Sequence, residues 1–317
     1  MTDYIIVGAG SSGCVTAANL VAAGATVTLV EAGGADRNPL IRMPAGFLMF
    51  LNGHRLIADY YTRSEPNVAN RSLRIGQGRV LGGSSSVNAM VYMRGVAADY
   101  AAWAEITGDA RWGWASMQAA FVAQEANARL SGEAHGATGP LCVSDLAQTC
   151  ALSEIYIKAA QAAGLERRDD FNAGTQLGAG YMQYTIRDRT RWSAKDAFLA
   201  PILRNPRLKL RLAEAVDLIT FEDGRATGVT LQSGQRIKAK KGVILCAGAF
   251  ETPRLLMRSG VGPGDHLSEK GIDPVIDAPG VGDGLMDHCE VPTVSFTTRN
   301  LGYHGQDRGW RMIWNGL

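Results

Sequence analysis

Between Asp3 and Gly34 the chain runs through an apolar stretch, a glycine turn, a helix-spaced segment and a second apolar stretch closed by an acid, an order that few folds accept. Tyr4-Ile5-Ile6-Val7 carries β-favouring side chains without helical spacing and feeds directly into Gly8-Ala9-Gly10-Ser11-Ser12-Gly13. Cys14, Ala17, Ala18 and Val21 then fall three or four apart, as one buried helix face requires, and Gly24 offers a stop. Val27-Thr28-Leu29-Val30 reads as a second strand, ending at Glu31.

Each part of this βαβ unit has a physical role. Gly8 permits the tight turn, Gly10 lets the backbone approach a pyrophosphate, and Gly13 lets the helix pack closely on the strand. Free N–H groups at the helix start face the phosphates. Glu31, at the tip of the second strand, can accept hydrogen bonds from a ribose diol and would repel a 2′-phosphate; it does not separate NAD from FAD. Strand, helix and acid fall at the required spacing within about 30 residues, which favours a dinucleotide site over a plain βαβ packing unit.

Composition bounds the rest. The 317 residues accommodate two ordinary domains or one large one, and 46% apolar content is ample for a core. A formal charge of +2 with interspersed signs, and no basic block beyond Lys238-Ala239-Lys240-Lys241, gives no support to nucleic-acid or anionic-membrane partners. Cys14, Cys142, Cys150, Cys246 and Cys289 form an odd set without C-x-x-C spacing, the pattern of free thiols in a reducing compartment, and no metal site follows. The first strand starts too early to leave room for a signal peptide, and no apolar run is long enough to span a bilayer. The expectation is a cytoplasmic enzyme of bacterial type. The 38 glycines, against a usual share of roughly 7%, point to many tight turns around a ligand.

Further along, Gly33–Gly78 is interrupted by Pro39, Pro44, Gly46, Gly53 and Pro66 and reads as a functional cover or lid, with a packed surface connection as the alternative and a brief strand at Tyr60-Tyr61-Thr62. In Gly78–Met90, two glycines followed by three serines and an asparagine present small groups and backbone donors to a flat polar ligand. Helices are predicted at 97–106, with Trp103 on the inner side, at 114–127 and at 151–163, and strands at 141–144 and 178–187. Ser193 caps a further helix to Leu203. Leu208–Leu212, Ala215–Phe221, Ala226–Leu231 and Arg236–Ala239 alternate as a β-meander; the apolar Gly242–Gly248 reads as a parallel strand buried on both faces, and Pro253 opens a helix to Arg258.

Taken together these segments resemble the glucose–methanol–choline (GMC) flavoprotein oxidoreductases over nearly the whole chain. Asp3–Gly34 is similar to the family's FAD-binding start, Gly78–Gly95 to its first signature and Gly248–Gly262 to its second. Trp112-Gly113-Trp114, His135-Gly136, Gly139-Pro140-Leu141 and Pro279–Gly282 with Asp287-His288 follow in the family's order. The resemblance implies an α/β fold: a Rossmann-type FAD-binding domain with a β-meander, and an inserted α+β substrate domain with antiparallel sheet that is incomplete in this chain. The expected division is 1–138 and 201–289 for the FAD-binding domain, 139–200 for a substrate-domain segment, and 290–317 for the start of a second one.

By the same resemblance, Gly8, Gly10 and Gly13 face the pyrophosphate, Glu31 the adenosine ribose and Val216 the adenine, while Arg79, Gly83, Ser84, Asn88 and Ala89 lie along the pyrophosphate and flavin. Val87 matches the position at which some members attach FAD to a histidine, which implies non-covalent FAD here. The implied reaction is hydride transfer from a small primary alcohol, aryl, furan or choline-like, to flavin N5, with oxygen or another acceptor taking the electrons. The family's catalytic histidine, with a histidine or asparagine partner, lies in a C-terminal part that His54, His135, His266, His288 and His304 do not match. Gly284 stands where relatives commonly place an asparagine. The expectation is therefore a portion of a longer product, with the tail Arg308–Leu317 as the start of a helix; a second polypeptide supplying the missing half and a truncated product are the alternatives. A hydroxynitrile-lyase-type FAD protein and a non-catalytic FAD-binding module or subunit remain competing functions.

Overall fold

The computed structural model describes residues 1–51, 53–288, 290–296, 298–299, 301–302 and 310. Cys289, His304 and, Trp310 apart, the stretch 308–317 lie outside the described residues. The chain divides into two compact units, one of residues 1–41, 46–88 and 193–291, the other of residues 42–45, 89–192 and 292–317. The segment 89–138, expected with the dinucleotide-binding domain, thus belongs to the second unit.

The first unit is built on one six-stranded sheet. Its strands are β1 (Thr2–Val7), β2 (Val27–Glu31), β5 (Leu208–Leu212), β6 (Val216–Glu222), β7 (Arg225–Leu231) and β8 (Arg236–Leu245), in the order β5-β2-β1-β8-β7-β6. β1 pairs in parallel with β2 and with β8, and β2 in parallel with β5. Ile5, Ile6, Val27, Leu29 and Val30 are buried because a parallel sheet is covered on both faces. The helix α1 (Ser11–Ala22) links β1 to β2 and buries Cys14, Ala17 and Val21, the face that the spacing predicts.

Two strand assignments are corrected. Leu208–Leu212 is no part of a meander: it lies parallel to β2, with Leu208 opposite Val27. The segments read as Arg236–Ala239 and Gly242–Gly248 are one strand, β8, whose first half pairs antiparallel with β7 and whose second half pairs parallel with β1. Alternation in its exposed first half and continuous apolarity in its second half, which is half-buried rather than buried on both faces as expected, made one strand look like two.

An excursion of the first unit carries the hairpin β3 (Ile57–Tyr61) and β4 (Arg74–Gly78), in antiparallel register with Ala58 opposite Gln77. The second-signature helix α2 runs from Gly248 to Arg258, so Pro253 sits inside it rather than opening it. Having no N–H, Pro253 leaves the Ala249 carbonyl without an intrahelical donor.

In the second unit, helices span Ala97–Thr107, Trp114–Gln124 and Ala151–Ala162. The helix expected to reach residue 127 stops at Gln124, and Glu125–Asn127 pairs as a short strand with Leu141–Val143. The strand expected over 178–187 is reduced to Gln183–Tyr184, antiparallel to Val91–Tyr92, and Ile186–Arg187, antiparallel to Thr190–Arg191. Trp103 is 47% exposed, not internal, with its ring edge on Tyr100. In the first unit the segment after Ser193 forms a five-residue π-turn (Lys195–Leu199) and a 3-10 turn (Ala200–Ile202) in place of a regular helix.

Candidate functional site

A cleft of about 880 Å³ opens in the first unit and is lined by Val7, Glu31 and Leu245, the carboxyl ends of β1, β2 and β8. β1 leads through α1 to β2 on one side and has β8 on the other, and ligands of open α/β sheets bind at such a change of direction.

The three glycines of the turn do different things. A Cβ on Gly13 would stand 1.9 Å from the Gly8 carbonyl oxygen, and one on Gly8 would stand 2.4 Å from that of Cys246, with φ at +100°. These two are required by packing. Gly10, by contrast, lines the cleft, and a Cβ there would meet only Gly83 Cα, at 3.8 Å. Ser11 and Ser12, in the first turn of α1, line the same surface, where a helix leaves its N–H groups unpaired.

The first-signature turn is pressed against this glycine turn. Gly82 N–H donates to the Ala9 carbonyl at 2.8 Å, and a Cβ on Gly83 would come within 2.6 Å of Gly10 Cα. The serines largely serve the loop itself: Ser84 Oγ accepts from Gly78 N–H, while Ser85 and Ser86 donate to the Gly82 and Leu81 carbonyls. Glu31 is buried, its two oxygens accepting from Ala9 N–H and Gly33 N–H, both at 2.8 Å. Burial pushes its carboxyl above the usual range, against the pull of those donors and of Arg79. Each oxygen keeps a lone pair for a further donor.

Of the residues singled out in the sequence, Gly8, Gly10, Glu31, Arg79, Gly83, Ser84 and Val216 line the cleft. Gly13 lies behind it. Asn88 is exposed, its N–H held by the Ser84 carbonyl, and Ala89 is the first residue of the second unit's main segment. The sequence reading missed the opposite wall. There Tyr60 donates to Glu251 at 2.8 Å and stacks on Phe250, and Gln77 donates to the Ala247 carbonyl at 3.0 Å. The glycines flanking Gln77 were the available signal.

Residues 2–290 match the family model described as GMC oxidoreductase. The chain belongs to this family. Among GMC relatives it is 42% identical over 298 residues to an alcohol dehydrogenase [acceptor] of Pseudomonas putida, covering 92% of this chain and 54% of that protein. It is 40% identical over 292 residues to an oxygen-dependent choline dehydrogenase of Rhizobium etli, covering 91% and 53%. The pyridoxine 4-oxidase structure from Mesorbium loti superposes with a TM-score of 0.84 at 34% identity, covering 88% of this chain and 56% of that one. The chain spans about half the length of the curated relatives it matches.

No histidine among the described residues lines the cleft. His54 accepts from Leu56 N–H, and His266 lies in the short helix Gly264–Glu269. His135 is buried in the second unit between Glu125 and Asp170, and His288 is exposed. Val87 is buried with Ile41, Phe50, Leu56 and Val80 in an apolar cluster that offers no nucleophile.

Among the described residues no group of acids, cysteines and histidines is arranged to hold a metal ion, and no helix is long and apolar enough to cross a membrane.

Proposed function

We propose that the cleft binds FAD non-covalently and that the chain supplies the dinucleotide-binding part of an FAD-dependent alcohol oxidoreductase. The observation that carries this is Gly10: a backbone position kept free of any Cβ, at the N-terminus of α1 and facing a cleft with the volume of a cofactor site. Three features fit the group. The first turn of α1 offers N–H donors to a pyrophosphate, Glu31 retains acceptors for ribose hydroxyls, and Gln77 Oε1 is buried without a partner in a residue that lines the cleft.

In this reading Gly8 and Gly13 hold the turn and Gly10 lets the pyrophosphate approach the backbone, with Arg79, Gly83 and Ser84 beside it. Glu31 orients the adenosine ribose, and Val216 meets the adenine through its main chain. FAD, when bound, supplies the hydride acceptor. Hydride transfer also requires a base that takes the hydroxyl proton of the alcohol, and no histidine lining the cleft can do so. By the resemblance to the GMC oxidoreductases we assign that role to a histidine, outside the described cleft-lining residues, on the same product or a second polypeptide. The substrate class is a small primary alcohol, aryl, furan or choline-like; the relatives named choline dehydrogenase, alcohol dehydrogenase [acceptor] and pyridoxine 4-oxidase support an alcohol donor, and oxygen or another acceptor takes the electrons.

Titration of the purified chain with FAD tests the binding step. Quenching of flavin fluorescence with saturable stoichiometry is expected, together with release of all flavin on acid precipitation. A chain that takes up no FAD would overturn the reading. Anaerobic bleaching of the bound flavin by choline or benzyl alcohol, in preparations whose polypeptides have been identified by mass spectrometry, then tests the chemistry.

A further inference from the structure

Gln77 lies in β4 between Gly76 and Gly78, in a residue pair with Ala58 of β3, and its side chain reaches the cleft. Its carboxamide has a fixed sense. Nε2 donates to the Ala247 carbonyl at 3.0 Å, so turning the amide over would set two oxygens against each other. Gly248, with φ at +85°, provides the room: a Cβ there would stand 2.0 Å from Nε2. The amide nitrogen is therefore held, and the amide oxygen is buried without a donor among the described residues.

Such an acceptor costs stability in the free protein, and native structures seldom keep one unless a ligand or water completes it. The same hairpin is fastened to α2 a short distance away, where Tyr60 donates to Glu251 and stacks on Phe250. β4 is thus held against the end of β8 and the start of α2 in a position where Gln77 cannot withdraw to solvent. A dinucleotide brings several hydroxyl donors on its ribose and ribityl chains into this cleft.

We propose that Gln77 is a cofactor-binding residue whose Oε1 accepts a hydrogen bond from a sugar or polyol hydroxyl of the dinucleotide, while Nε2 fixes the carboxamide on Ala247. The proposal rests on the FAD reading above. It gives Gln77 a distinctive signature, because removing the orphan acceptor relieves the free protein and weakens the complex. A side chain with only a packing role would move both in the same direction.

The test is Gln77→Met, which keeps length and removes both polar atoms. Melting of the flavin-free protein and FAD titration are compared with wild type. Expected are a free-protein melting temperature close to that of wild type, because relief of the orphan acceptor offsets the lost bond to the Ala247 carbonyl, and an FAD dissociation constant raised about tenfold, the worth of one hydrogen bond to a buried acceptor. An unchanged dissociation constant overturns the proposal, as does a weaker complex accompanied by a matching loss of stability in the free protein. If the variant does not fold, the side-chain carbonyl resonance of Gln77 in the wild-type chain decides: a downfield shift on FAD addition supports the proposal, and no shift overturns it. Failure of the wild-type chain to bind FAD would remove the functional reading itself, whereas equal binding by wild type and Gln77→Met removes only the role of Gln77.

Discussion

Lys195 Nζ lies 2.9 Å from Asp36 Oδ2, with both side chains 13% exposed, so an ion pair ties the loop after β2 to the π-turn that follows Ser193. Asp196 adds a second carboxylate at 3.3 Å. The lysine stands directly over the first-signature turn: a Cβ on Gly82 would be 3.4 Å from Lys195 Cβ. Burial alone would pull the Lys195 ammonium down, but the hydrogen bond to Asp36 and the two carboxylate charges outweigh it and raise its pKa from 10.5. Lys195→Met takes the cation from two little-exposed carboxylates, of which Asp196 keeps its hydrogen bonds from Ser193, and is expected to cost on the order of 3 kcal/mol, part of which Asp36→Asn returns in the double variant. A group whose folded pKa is raised contributes stability fully present below its unfolded value and lost as pH rises through the folded one. Denaturation midpoints of wild type should therefore fall more steeply above about pH 10.5 than those of Lys195→Met. Parallel curves would remove the ion pair from the account.

Gly10→Ala and Gly13→Ala separate binding from folding within one motif. At Gly13 the new methyl would meet the Gly8 carbonyl oxygen at 1.9 Å, backbone that cannot move without breaking the turn, so a loss of several kcal/mol is expected from overpacking, at or beyond the usual range of about 1–3. At Gly10 the methyl meets nothing closer than 3.8 Å, and the folded chain is expected to melt within a degree or two of wild type. It then projects from a cleft-lining position and should lower FAD affinity by at least tenfold. Thermal melting and flavin titration of the two proteins provide the check, and a stable Gly13→Ala or a tightly binding Gly10→Ala would contradict the division.

The glycine turn was legible in the sequence because each of its constraints is local: strand, turn, helix and acid follow one another within a single βαβ unit. The sheet beyond it was legible in content and not in pairing. Alternation at Leu208–Leu212 reports one face more buried than the other but says nothing about direction, and its partner β2 lies far away in the sequence. The helical spacing over 114–127 carries no local mark of Gln124 as the last turn; in the strand Glu125–Asn127, Glu125 pairs with Arg94 and His135, contacts from elsewhere in the unit. The sequence places Pro253 at a helix start, where the donor it lacks is cheapest to lose, whereas Gly248 at positive φ begins the helix earlier. The cleft wall at Tyr60, Gln77 and Glu251 depends on contacts between segments about 170 to 190 residues apart, beyond the reach of any window.

Thiol chemistry should be confined to one place among the described cysteines. Burial, with Glu31 nearby, pushes the Cys14 thiol up to about 12, and its Sγ donates to the Ala9 carbonyl. Cys142 and Cys246 are also raised by burial. Cys150 runs the other way: the hydroxyl and N–H of Ser153 lower it, at the start of the helix Ala151–Ala162. Iodoacetamide at pH 8 is expected to modify Cys150 well before the other three, and peptide mapping over a time course reads the order directly. Early labelling of Cys14 would mean that the glycine turn opens far more often than its packing implies.

Glu125 holds the second unit's polar core in the way that Glu31 holds the glycine turn in the first. It is wholly buried and accepts from Arg94 Nη2 at 2.7 Å, Asn127 Nδ2 at 2.9 Å and Gly136 N–H at 3.0 Å, with His135 Nδ1 at 3.1 Å. Arg94, 1% exposed at its side chain, also donates to the Ala134 carbonyl and lies over the Phe121 ring. Glu125→Gln keeps the shape but leaves the guanidinium buried without its counter-charge and turns an amide N–H₂ toward donors. The expected loss is about 3–5 kcal/mol, the range for breaking a buried pair from one side. Trp103 and Trp114 pack against Tyr100 in the same unit, so tryptophan fluorescence during urea denaturation follows its unfolding. A midpoint displaced by less than about 1 kcal/mol would place Glu125 with ordinary surface pairs. Charge reversal on both sides offers no rescue here, because Asn127 and Gly136 N–H donate to the same carboxylate and would oppose a cation in its place.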